Sequence, residues 1–319
     1  MQYINGAFKN KHILSLDQFT KKDIEILFTH VPSMKKLAVN AKPSSILSGS
    51  LVTMLFFEPS SRTFSSFSAS VKQLGGQTIT IHDPVNISSF SKGETLEDAI
   101  QVFEAYCDAI VLRHSVAGMA QKAAIAAQSV PIINAGDGIG EHPTQALLDL
   151  YTIYEAHKKL DNLTGVMVGD LLNGRTVHSL LRGLSLYKGN TIYLLSPNSL
   201  QLSKKDVDMF TKNGLRLITI KNIEELPKNA HFWYWTRVQK ERFKSISECE
   251  RVKNKFILSN KIIAKYAGKS TLFMHPLPRV GEILTEVDND PRAVYLTSQI
   301  RNGMYVRMAL LGLVMGKLK

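Results

Sequence analysis

The sequence predicts an α/β protein of two domains, each a mainly parallel sheet with helices on both faces. Three observations lead there. The chain has 319 residues, room for two cores at roughly 150 residues per domain. Apolar runs of strand length alternate with segments of helical spacing, as in parallel sheets joined by crossover helices. Hydrophobic residues make up 44% and charged residues 21%, which fits a folded chain.

Residues 17–31 have helical spacing, and residues 51–57 form the first strand-like run. Ser60, Ser61, Arg62 and Thr63 follow at once. Helical spacing resumes with Phe67, Val71 and Leu74, and Gly75-Gly76 stops it. Strand, polar turn and helix N-terminus together make a phosphate cradle, because the unpaired N–H groups and the helix dipole face the anion. The hydroxyls add donors and Arg62 adds a planar cation. A Ser-rich cap on an ordinary helix has the same spacing, so this stretch alone leaves both readings open.

A Ser-rich loop over residues 86–91 and then Lys92 precede a helical segment, residues 95–106. Such a loop is ordinarily a mobile surface segment. Residues 109–112 read as a strand that ends in Arg113. That arginine is either a solvent-facing terminus or an anion ligand at the carboxyl end of a strand. A strand over 131–134 leads through Asp137, Gly138 and Gly140 to His142, and residues 143–157 have helical spacing. A lone histidine near a helix start is commonly a satisfied core residue; the glycine-rich loop before it argues for a cleft. Gln145 lies on nearly the same helical face as His142. The pair lacks the spacing of a helical zinc motif, and no metal is expected.

Residues 164–168 form the next strand, and a turn over 169–174 brings in Arg175 and a helix over 176–187. Residues 191–195 and 215–220 add strands. The run Phe232-Trp233-Tyr234-Trp235 precedes Arg237, and packing within a strand explains its two tryptophans. Residues 271–274 form a last strand before His275-Pro276-Leu277-Pro278-Arg279, and residues 300–318 read as the final helix. The Leu277–Pro278 peptide is expected to be cis, since the run His275-Pro276-Leu277-Pro278 must turn sharply and an X–Pro bond loses only about 0.5–1 kcal/mol in going cis. Ser60, Arg113 and Arg175 each follow a strand, so all three can face one cleft.

The formal net charge is +12, from 39 Lys+Arg against 27 Asp+Glu. The lysines are scattered and not interleaved with aromatics, so the charge reads as a solvated surface and nucleic-acid binding is not expected. Such a surface also concentrates anionic substrates. Cys107 and Cys249 are far apart, which fits a reducing compartment without disulfides or structural zinc. No N-terminal apolar run of signal-peptide length appears, and the apolar stretch 308–314 is too short to cross a bilayer. The expected location is the cytoplasm, with no membrane association.

Taken in order, six segments resemble the transcarbamylase family. They are Ser60-Ser61-Arg62-Thr63, Ser91-Lys92-Gly93-Glu94-Thr95, His142-Pro143-Thr144-Gln145, Gly174-Arg175-Thr176-Val177-His178-Ser179, Thr236-Arg237-Val238-Gln239-Lys240-Glu241-Arg242 and His275-Pro276-Leu277-Pro278-Arg279. The fifth is similar to the aspartate branch specifically. The resemblance runs from about Ile13 to the C-terminus.

The resemblance implies a carbamoyl-phosphate domain over residues 1–142 and 301–319 and an aspartate domain over 143–300, with the C-terminal helix returning to the first. It implies transfer of a carbamoyl group from carbamoyl phosphate to L-aspartate without a cofactor. Carbamoyl phosphate would be held by Ser60, Ser61, Arg62, Thr63, Arg113, His142 and Gln145. Arg62, Thr63 and His142 would form the oxyanion hole. Lys92, also catalytic, and Ser88 would reach into the site of a neighbouring subunit of a homotrimer and bind carbamoyl phosphate there. Arg175, Arg237, Gln239 and Lys92, with the carbonyls of Leu277 and Pro278, would hold aspartate. Glu58 would pair with Arg175 and Arg242 when the domains close. A regulatory chain or a dihydroorotase remains open as a further partner.

Two positions depart from the family pattern. Phe64 stands where the phosphate loop usually has a second arginine, which puts loop rigidity in question. Leu172-Asn173 stands where regulated bacterial members carry Lys-Tyr, which leaves nucleotide regulation open. The alternative is the ornithine branch or another transcarbamylase; the ornithine branch typically has cysteines at the places of Thr144 and Pro276 and a Ser-Met-Gly loop, whereas Arg237 stands where a dicarboxylate needs a cation. A non-catalytic scaffold homologue is the other reading, and the intact Arg62, Lys92, Arg113, His142, Arg175 and Arg237 argue against it.

Overall fold

The computed structural model describes residues 2–40, 44–82, 92–138, 140–237 and 256–319. In chain order the elements are α1 (Lys21–Val39), β1 (Leu51–Phe56), α2 (Ser61–Gln73), β2 (Gln77–His82), α3 (Leu96–Glu104), β3 (Ala109–His114), α4 (Met119–Ala126), β4 (Ile132–Asp137) and α5 (Pro143–His157). They continue with β5 (Thr164–Val168), α6 (Arg175–Ser185), β6 (Thr191–Leu195), α7 (Lys204–Lys212), β7 (Arg216–Ile220), β8 (Phe232–Trp235), α8 (Asn260–Tyr266), β9 (Leu272–Met274) and α9 (Ser298–Val314). The chain divides into two compact units, Met1–Leu148 with Arg301–Lys319, and Asp149–Ile300. The divisions fall within α5 and α9.

The expected class is borne out. The first unit holds a parallel sheet in the order β2-β1-β3-β4, and the second a parallel sheet in the order β7-β6-β5-β8-β9. In the first, Leu55, Ile110, Leu112 and Ile132 pack with Leu96 and Ile100 of α3 and Ala120 and Ala123 of α4. The final helix returns to this unit. Ser70 Oγ on α2 donates to the Met304 carbonyl of α9 at 3.1 Å, and Arg307 Nη1 of α9 donates to Ser66 Oγ at 2.8 Å. Met308, Leu310, Leu311 and Val314 are buried, so this apolar run is core. No described helix is long and apolar enough to cross a membrane.

In the second unit Trp233 and Trp235 are fully buried with Val166, Leu195 and Phe273, as their packing in a strand requires. The Trp235 indole donates to the Phe256 carbonyl at 2.7 Å.

The structure differs from the sequence reading at α1, at β2 and at three short helices. The helix expected over 17–31 begins at Lys21, because Ser15 caps a separate short turn, Leu16–Gln18, and Thr20 starts α1 with a capping box to Asp23. It runs on to Val39 through Pro32. The edge strand β2 was not expected; four of its six residues, Gln77, Thr78, Thr80 and His82, are polar, and it pairs on one side only. The short helices α4, α7 and α8 were not expected either; α7 buries Phe210 alone, which leaves little periodic signal.

Candidate active site

In the first unit, β1 delivers the chain through Phe57, Glu58 and Pro59 to Ser60, the residue before α2. Ser60 caps by position but its hydroxyl makes no capping hydrogen bond. The first backbone bond of the helix runs from Phe64 N to Ser60 O at 3.0 Å. The N–H groups of Ser61, Arg62 and Thr63 therefore lack intrahelical acceptors, which is the arrangement that binds anions. Arg62 is exposed and Thr63 buried.

Parallel pairing sets Phe56 beside Arg113 at the carboxyl end of β3. Arg113 is only 5% exposed. Its Nη2 lies 2.7 Å from Glu58 Oε2, and its Nη1 donates to the Ala135 carbonyl at 3.0 Å. Glu58 thus pairs with Arg113 in its own unit; Arg242, one of its expected partners on domain closure, lies outside the described residues.

The guanidinium crosses Gly136. A Cβ there would stand 2.7 Å from Arg113 Nη1 and 3.5 Å from His142 Cδ2, and Gly136 has φ +118°. Glycine at this position lets Arg113 and His142 meet over one stretch of backbone. Asp137 ties the intervening loop: Oδ1 accepts from Glu141 N at 2.8 Å and Oδ2 from Gly118 N at 3.0 Å. His142 is buried just ahead of α5, with Pro143 as the first helical residue. Gln145 is half-buried one turn on. Arg307 braces both helix starts. It donates to Ser66 Oγ on α2 and, through Nη2, to Thr144 Oγ1 on α5 at 3.3 Å.

The Phe64 departure has a structural answer. Its ring packs 4.0 Å from the His82 ring and 5.4 Å, edge-on, from Phe56. Aromatic packing holds the turn where an arginine is usual.

In the second unit, β5, β8 and β9 lie side by side with Val168 opposite Trp235 and Tyr234 opposite Met274. Their carboxyl ends therefore release Arg175, Arg237 and the His275–Pro278 turn from neighbouring positions. Gly169, at φ +113°, allows the close approach, since a Cβ there would meet the Thr236 carbonyl at 2.3 Å. Asp170 is buried and accepts from Asn173 N at 2.9 Å, fixing the turn before Arg175. Arg175 and Arg237 are both partly buried. The Leu277–Pro278 peptide is cis, as expected.

The structure thus groups Ser60, Ser61, Arg62, Thr63, Arg113, His142 and Gln145 in one unit, and Arg175, Arg237, Leu277 and Pro278 in the other. Lys92 is exposed ahead of α3. Ser88 and Gln239 lie outside the described residues. No group of side chains suited to a metal occurs among the described residues. Sequence reasoning missed Gly136 and Arg307, which carry no local motif.

Residues 11–155 match the carbamoyl-P binding domain of the aspartate/ornithine carbamoyltransferases, and residues 161–314 their Asp/Orn binding domain. The chain belongs to the aspartate/ornithine carbamoyltransferase family. Within this family it is 45% identical over 312 residues to a multifunctional protein of Dictyostelium discoideum, covering 98% of this chain and 14% of that protein. The chain therefore spans a small part of that multifunctional relative. It is 41% identical over 309 residues to aspartate carbamoyltransferase 1, chloroplastic, of Pisum sativum, covering 97% of this chain and 79% of that one. Its fold matches the aspartate transcarbamoylase of Trypanosoma cruzi in complex with carbamoyl phosphate, with a TM-score of 0.89, 38% identity and 97% of each chain covered.

Proposed function

We propose that the chain is an aspartate carbamoyltransferase. It transfers the carbamoyl group of carbamoyl phosphate to the amino group of L-aspartate, giving N-carbamoyl-L-aspartate and phosphate in pyrimidine biosynthesis. The observation that carries this reading is the meeting of Arg113 and His142 over Gly136, in the same unit as the open N-terminus of α2. A buried cation with an imidazole, and a helix N-terminus with free N–H groups, suit a phosphoryl dianion with a carbonyl at its edge. The named aspartate carbamoyltransferases among its relatives support the second substrate.

In this reading Ser60, Ser61, Arg62, Thr63 and Arg113 bind the phosphate. Arg62, Thr63 and His142 hold the carbonyl oxygen as it becomes an oxyanion, and Gln145 accepts from the carbamoyl NH2. The first unit is the carbamoyl-phosphate domain. In the second, Arg175 and Arg237 grip the two carboxylates of aspartate, with Gln239, while Leu277 and Pro278 offer carbonyls to the substrate nitrogens. Among the described residues none donates to those two carbonyl oxygens, which leaves them for a ligand. The neutral amine attacks the carbamoyl carbon, the oxyanion forms and collapses, and phosphate leaves with the amine proton. Positioning supplies much of the rate, since well-aligned reactants reach effective molarities of about 10⁵–10⁸ M.

Lys92 and Ser88 complete the site of a neighbouring chain in a homotrimer, and the cytoplasm is the compartment. Steady-state assay of the purified protein tests the reading. Carbamoyl aspartate should form in proportion to enzyme and require both substrates. Its absence with a folded protein would leave the scaffold alternative.

A further inference from the structure

The turn after β9 is held from behind by a buried polar chain that crosses four elements. Asp149, in α5, is fully buried. Its Oδ2 accepts from the Tyr234 hydroxyl of β8 at 2.8 Å, and its Oδ1 accepts from Gln299 Nε2 of α9 at 2.7 Å. A carboxylate can only accept, so the Gln299 amide must turn its NH2 toward Asp149. That orientation aims Oε1 at the His275 N–H, which donates to it at 3.1 Å. His275 is the first residue beyond β9, where the sheet stops.

The chain continues through His275. Its Nδ1 accepts from the Leu277 N–H at 2.7 Å, so the ring proton sits on Nε2, which lies 2.7 Å from Glu282 Oε1. Glu282 Oε2 accepts from Val280 N at 2.9 Å. His275, Glu282 and Gln299 are all buried. Three N–H groups of the turn, at His275, Leu277 and Val280, are thus taken up by buried side chains behind it.

We propose that Asp149 and Gln299 are positioning residues for this turn, and that the polarity of their hydrogen bonds sets the affinity for the amino-acid substrate. The inference rests on the reading of Leu277 and Pro278 as carbonyl ligands of aspartate. Asp149 and Gln299 touch no reacting atom. They fix the start of the turn, and a shift there displaces carbonyls that must meet two nitrogens at hydrogen-bonding distance.

A polarity swap tests this in the full-length protein. Gln299→Glu keeps an acceptor for His275 but sets a second carboxylate against Asp149. Asp149→Asn combined with Gln299→Glu restores complementary bonds with the donor and acceptor exchanged. Gln299→Glu should raise the aspartate KM by about tenfold or more, the loss of a well-placed hydrogen bond to a charged group, with carbamoyl phosphate binding unchanged by calorimetry. The double variant should return the aspartate KM to within about threefold of the parent. Equal loss of both substrates, an unmoved aspartate KM, or a double variant no better than the single one overturns the inference. If Gln299→Glu does not fold, the double variant decides alone, by a parent-like or a raised aspartate KM. A parent protein that makes no carbamoyl aspartate overturns the functional reading itself, and the inference with it.

Discussion

Arg113 and Glu58 form an ion pair of 2.7 Å in the first unit, with Arg113 almost wholly buried. On the proposed reading of Arg113 as a phosphate ligand, this carboxylate and the substrate phosphate would compete for one guanidinium. Glu58→Gln should lower the melting temperature of the unliganded protein. It should also tighten phosphate binding by about fivefold, the effect of removing a partly exposed competing charge of about 1 kcal/mol. Thermal-shift titration with inorganic phosphate reads both. An unchanged phosphate response would mean that the pair does not govern access to Arg113.

Gly136→Ala should damage the same site by another route. The new methyl would stand 2.7 Å from Arg113 Nη1, on a residue with φ +118°. Backbone strain of this kind costs about 1–3 kcal/mol. The expected outcome is a lower melting temperature and at least about tenfold weaker binding of carbamoyl phosphate. A variant with wild-type affinity would show that the guanidinium has another resting place.

How much of this was legible follows from range along the chain. The phosphate turn at Ser60–Thr63 and the arginines at 113 and 175 could be read because each stands at the end of a strand or a short turn beyond it, a local relation. The cis turn at Leu277–Pro278 was local too. Gly136 was not legible, since its need for a missing side chain arises from Arg113 on the neighbouring strand. Arg307 and Ser66 are 241 positions apart, and Gln299 and Asp149 are 150 apart. No spacing rule reaches so far. The pairing of Glu58 with Arg113 on the neighbouring strand likewise had no local signal.

The second unit carries an acid-sensitive contact. The His157 and His231 rings meet edge to face at 5.1 Å, His157 Nε2 donates to the His231 carbonyl at 2.9 Å, and His231 Nδ1 accepts from Thr164 N at 3.0 Å. Burial, above all, holds both imidazoles below their ordinary value. The unfolded chain then binds protons before the folded one, so stability is full above about pH 6.5 and falls as pH drops below it. His231→Asn should make the decline of melting temperature between about pH 7 and pH 5 shallower. An identical slope in the variant would assign the acid loss elsewhere.

The proposed sharing of sites between chains predicts complementation. Arg62→Ala and Lys92→Ala should each be nearly inactive alone. Mixed after dissociation and reassembled, they should regain part of the activity, because some sites then take Arg62 from one chain and Lys92 from another. Reassembled hybrids that stay inactive would confine each site to a single chain.

Arg237→Ala should separate the two substrates. Its loss should weaken aspartate by about 1.5–3 kcal/mol, the worth of a charged hydrogen bond, and leave carbamoyl phosphate nearly unchanged. Equal losses, in kinetics and in calorimetry of carbamoyl phosphate, would count against Arg237 as a carboxylate ligand.

The central claim is the transfer to aspartate, and a competition measures it directly. Carbamoyl phosphate labelled with ¹³C is given to the purified protein with equal concentrations of aspartate and ornithine, and the products are followed by NMR. The label should appear in carbamoyl aspartate, with citrulline at the level of an enzyme-free control. Label accumulating in citrulline, or in neither product while the protein remains folded, would contradict the account.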